Sequence, residues 1–152
     1  MKKVVLMILI VFISLSIYAK GYRDVTLTLN HSRRIDNRIT IQFEEKEISI
    51  KITITNVYDE IVKTENRECD QAFFDTLFDD LTNLSIVDIV TPTIPVVGGD
   101  GYTVSITFGP PGSSVCLSAW SPDMKTEQRK LTEYYEIVKR IFEYVEMTDW
   151  IS

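Results

Sequence analysis

Between Val25 and Ile54 the chain alternates apolar and polar residues with a period of two, and no other feature constrains its fold so tightly. Val25, Leu27 and Leu29, then Ile39, Ile41 and Phe43, then Ile48, Ile50, Ile52 and Ile54 stand at every second position, with Thr, Ser, Gln or Lys between them. Successive side chains of a strand point to opposite faces, so the pattern predicts three strands with one dry face and one wet face. Asp36-Asn37 and Glu44 to Glu47 occupy the gaps, and short polar turns of that kind join antiparallel neighbours into a meander. From Tyr58 to Glu68, Ile61 and Val62 are surrounded by charges, which predicts a fourth strand at a sheet edge, where charge is tolerated.

The period then changes. Asp70 can cap a helix, and Phe73, Phe74, Leu77, Phe78, Leu81 and Leu84 follow at spacings of three and four, the stripe of an amphipathic helix. Pro92, Pro95, Gly98, Gly99 and Gly101 mark an irregular loop. Tyr102, Val104, Ile106 and Phe108 alternate again, Gly109-Pro110-Pro111-Gly112 turns the chain, and Val115, Leu117 and Ala119 complete a hairpin. Ser121-Pro122-Asp123 is a helix-entry or turn signal. Beyond it, Leu131, Tyr134, Tyr135, Val138, Ile141, Phe142 and Val145 form one face of a last helix. The expected fold is α+β: an antiparallel sheet of five or six strands, a meander plus a hairpin, with two helices packed on one face.

Lys2 and Lys3 precede a run from Val4 to Tyr18 whose only polar members are Ser14, Ser16 and the tyrosine. Such a run makes a helix of about 22 Å, short of the roughly 30 Å hydrocarbon core. Residues 1–19 therefore read as a removable export signal ending at Ala19, and residues 20–152 as a single domain, exported to the periplasm or secreted, with no stable membrane insertion once the signal is gone. Its removal leaves fourteen basic residues against twenty-two acidic ones, a formal charge of −8. No Lys or Arg cluster capable of neutralising a phosphate backbone is present, so nucleic acid is not an expected partner. Two cysteines in an exported chain, Cys69 and Cys116, are read as a disulfide. With forty-six residues between them, such a bridge stabilises a domain by about 4 kcal/mol in the chain-entropy model. Strand parity sets Cys116 on the face away from the first helix, which stands in tension with that bridge.

Three residues are candidates for partner binding. Asp75 and Asp79 lie, with Asp80, on the polar side of the first helix, where they suit a basic partner or simply solvate the surface. Trp120 ends the last strand beside a wet face rich in Thr and Ser, and tryptophan is enriched at binding hot spots.

Catalytic signals are weak. His31 is the only histidine, with no nucleophile in a recognisable elbow. After cysteine pairing too few ligands remain for zinc. Gly98-Gly99-Asp100-Gly101 lacks the strand before and helix after it that a phosphate-cradling loop needs. No cofactor or metal is expected. The function read from these residues is a non-enzymatic module that binds or inhibits another protein, a basic one in particular, with toxin neutralisation as one instance. The alternative is a small hydrolase acting on cell-envelope glycans or esters through acidic residues, for which Asp79, Asp80, Asp100 and Asp123 are the candidates.

Overall fold

The computed structural model describes residues 22–90, 94 and 100–151. The expected signal segment and most of the Pro- and Gly-rich loop lie outside them. The elements run β1 (Asp24–His31), β2 (Arg38–Glu44), β3 (Ser49–Thr55), β4 (Ile61–Glu68), α1 (Gln71–Asn83), α2 (Ile86–Val90), β5 (Tyr102–Gly109), β6 (Val115–Trp120), α3 (Thr132–Tyr144) and a 3-10 turn (Thr148–Trp150).

All six strands form one antiparallel sheet in the order β4-β3-β2-β1-β5-β6. The meander grows outward from β1 on one side and the β5–β6 hairpin completes the other. The registers set Val25 against Phe43 and Phe108, and Phe43 against Ile50. Every second residue of five strands thus falls on one face, where Val25, Leu27, Leu29, Ile39, Ile41 and Ile106 are fully buried.

Both long helices cover that face. Asp70 starts α1 by accepting the backbone N–H groups of Ala72 (2.7 Å) and Phe73 (3.1 Å), and Phe74, Leu77 and Leu81 are buried beneath it. α3 buries Tyr134, Ile137, Val138, Ile141 and Phe142. The Tyr134 hydroxyl donates to the Val104 carbonyl (2.9 Å), so the one polar atom on this deeply buried ring is satisfied. Phe73 and Tyr144 stack at 3.6 Å between centroids and join the two helices. The short α2 packs beside β6. Among the described residues no helix is long and apolar enough to cross a membrane.

The expected bridge is not made: Cys69 and Cys116 are both free thiols, the first buried and the second exposed. Cys69 follows β4 and bonds through its N–H to the Ile48 carbonyl beside β3, while Cys116 sits on β6, five strand positions from β4 and on the open face opposite Thr107. At about 4.8 Å per strand that is roughly 24 Å, against a Cα separation below about 7 Å for a disulfide. A sheet that grew from both sides of β1 carries the two cysteines to opposite flanks.

Candidate protein-interaction surface

Antiparallel order puts the β1–β2 and β3–β4 connections side by side at one end of the sheet. There Ile35, Val57, Tyr58, Ile61 and Val62 are each half or more exposed, Ile35 and Tyr58 at 77% and 78%. Isolated exposed apolar residues are ordinary; here five fall on two neighbouring connections and the start of β4, which makes this end of the sheet a candidate interface.

The backbone under this platform is firmly built. The Val57 N–H donates to the Ile35 carbonyl (2.9 Å) and ties the two connections together. Asn56 organises the second one: its Oδ1 accepts the N–H groups of Tyr58 (2.9 Å) and Glu60 (3.0 Å), and its Nδ2 donates to the Glu60 carboxylate (2.9 Å). Asp59 takes the left-handed conformation, with φ of 62°, which an Asp side chain tolerates well. Arg38 clamps the outside, donating to Asn30 on β1 (2.7 Å) and to the Asp59 carboxylate (2.8 Å). Its register partner Thr55 is consequently only 8% exposed although it lies on the wet face. Nearby, Arg34 lies over the Trp150 ring and donates to the Asp149 carbonyl, anchoring the C-terminal turn at the same end.

Asp75 and Trp120 are both engaged within the chain, and Asp79 stands apart from the platform. Arg23 binds Asp75 (2.6 Å) and Glu45 (2.5 Å) together and lies over the rings of Phe74 and Phe78. Hydrogen bonding to Glu45 is the main cause that holds the Arg23 guanidinium charged well beyond its ordinary range, against a partial opposing effect of burial. Asp75 is thus part of a staple joining the start of β1, the β2–β3 turn and α1. Asp79 is exposed on α1. Trp120 is half-buried, and a Cβ at Gly101 would lie 2.9 Å from its indole; glycine there admits the ring.

The candidate acids are dispersed. Asp80 pairs with Arg140 at 2.5 Å across an open groove of about 600 Å³ between α1 and α3. Asp100 pairs with Arg33. Asp123 lies near Tyr102, whose phenol is pushed far above its usual range, first by burial and then by that carboxylate. His31 stacks on Tyr102 at 5.9 Å, and burial, followed by the charge of Arg34, lowers its pKa. Among the described residues no group of three or more His, Cys, Asp or Glu stands ready to hold a metal ion.

Sequence reasoning missed the platform. Its signal was present: Ile35 between Arg34 and Asp36, and Val57-Tyr58 inside a turn, are bulky residues where short polar connections are the rule.

No family model matches the chain, and no curated protein matches it. Among solved structures it is similar to an SsgA-like sporulation-specific cell division protein from Thermobifida fusca, with 14% identity over 84% of this chain and 97% of that one and a TM-score of 0.19. At that score the likeness carries no weight for fold or function.

Proposed function

We propose that the protein is an exported, non-enzymatic binding module that recognises or inhibits another protein, and that the apolar platform at the hairpin ends makes the contact. The carrying observation is the platform itself: large apolar side chains held in water on a hydrogen-bonded frame. Ordering those turns in advance lowers the entropic cost of association. Tyr58 has the character of a hot-spot residue, a rigid aromatic with a polar tip and the most exposed of the group. The formal charge of −8 after signal removal favours a basic partner by steering encounter, while the platform supplies the desolvated contact. An inhibitor of a basic toxin is one instance of this class.

The test compares wild type with Tyr58→Ala as bait against the export fraction of the producing cell, at graded bait concentration. A saturable partner is expected, and the variant weakens its capture by about 30-fold, the equivalent of roughly 2 kcal/mol for a hot-spot truncation. An unchanged partner set with the variant, or no saturable partner with wild type, overturns the reading.

A further inference from the structure

β4 ends the sheet, and among the described residues no strand lies beside its outer edge. Which backbone groups face outward follows from one hydrogen bond. The Cys69 N–H donates to the Ile48 carbonyl across the β3–β4 ladder, and antiparallel ladders alternate. Lys63, Glu65 and Arg67 therefore direct their backbone groups to β3, and Thr64, Asn66 and Glu68 direct theirs outward. The side chains of the first three fall on the helix-side face, opposite Ile54, Ile52 and Ile50.

Inward charges of this kind repel an ordinary apolar strand. Within the chain Glu65 already pairs with Lys63 (2.9 Å) and Arg67 (2.6 Å), and the strand accepted is one that continues this alternation of charge across the edge. A second copy of β4, running antiparallel with the two-fold axis at Thr64, sets Lys63 against Glu65 of that copy and Glu65 against its Lys63. Backbone parity agrees, because Thr64 then meets Thr64 with both outward N–H and C=O groups in register. Centring at Glu65 instead opposes Glu65 to itself and Lys63 to Arg67, and centring at Lys63 opposes two lysines. Centring at Asn66 opposes Glu65 to Arg67 but pairs only Thr64 to Glu68 before the ladder meets Cys69 and α1. Opposite charges facing across strands stabilise a ladder and like charges destabilise it.

We propose that the protein forms a symmetric dimer by antiparallel pairing of β4 with β4 of a second copy, in the register that opposes Lys63 and Glu65. The joined sheet has twelve strands, twice the six of one chain. Ile61 and Val62, where the platform runs onto β4, are partly covered, and Ile35, Val57 and Tyr58 stay free at the two ends. The dimer goes beyond the proposed protein-binding role and does not depend on it; Tyr58→Ala is expected to leave the dimer intact.

Sedimentation velocity of the purified protein over a wide concentration range tests it. Wild type is expected to shift from monomer to dimer. Lys63→Glu raises the dissociation constant by about tenfold, from two like-charge oppositions, and Lys63→Glu combined with Glu65→Lys restores it. Thr64→Pro, which removes an outward N–H that the sheet does not use, abolishes the dimer with an unchanged circular dichroism spectrum. A wild type that stays monomeric at all concentrations, a dimer indifferent to Lys63→Glu, or a double swap that fails to restore pairing overturns the proposal.

Discussion

Arg23 shows how one residue can tie distant parts of the chain together. Its guanidinium reaches Glu45 twenty-two positions away and Asp75 fifty-two positions away, while its flat face rests on two phenylalanines. Glu45 feels this chiefly as hydrogen bonds from Arg23, which hold its carboxyl below the ordinary value of 4.5 despite partial burial. A carboxylate with a lower pKa in the folded state binds fewer protons there than in the unfolded chain. Its stabilising effect is therefore present above pH 4.5 and is lost as pH falls through the folded value. Urea midpoints measured from pH 6 downward are expected to fall more steeply for wild type than for Glu45→Gln, which cannot titrate. Equal slopes would remove Glu45 from the acid response. The same residues explain why Asp75 reads differently in sequence and in space: nothing local to α1 announces a guanidinium supplied from before β1.

At the scale of elements, capping and periodicity explain most of the architecture. Asp70→Ala leaves the N–H groups of Ala72 and Phe73 without their acceptor and is expected to cost about 1 kcal/mol, seen as a lower denaturation midpoint at unchanged slope. Five strands and the two long helices were legible because each has a clean period, and the dry face followed from parity alone. β4 was legible as an edge because charges occupy positions where its neighbours have isoleucine. The stretch from Ser121 to Leu131 was legible only as a helix entry or turn. It is a chain of turns with positive φ at Ser121, Lys125 and Lys130, closed around the buried Arg129, whose guanidinium donates to the carbonyls of Trp120, Ser121 and Met124. A buried arginine serving backbone carbonyls leaves no periodic trace. Neither does the platform, whose two turns meet through a backbone hydrogen bond between Ile35 and Val57, twenty-two positions apart in sequence.

For the whole molecule, sheet order decides what the parts can do together. It separates the cysteines and gathers the β1–β2 and β3–β4 connections at one end. It also leaves β4 as the edge at which the proposed second copy pairs. One face is sealed by helices and the other is wet; the proposed partner contact lies at the end of the sheet and the proposed dimer contact on its flank. The proposed function accordingly rests on the platform, and the most direct measurement is site-specific photocrosslinking in the producing cell. A photoreactive residue is placed at Tyr58, and as a control at Ser105 in the middle of the wet face. The result expected is one discrete heterologous adduct from position 58 and none from position 105. No adduct at 58, or the same adducts from both positions, would contradict the platform as the binding surface.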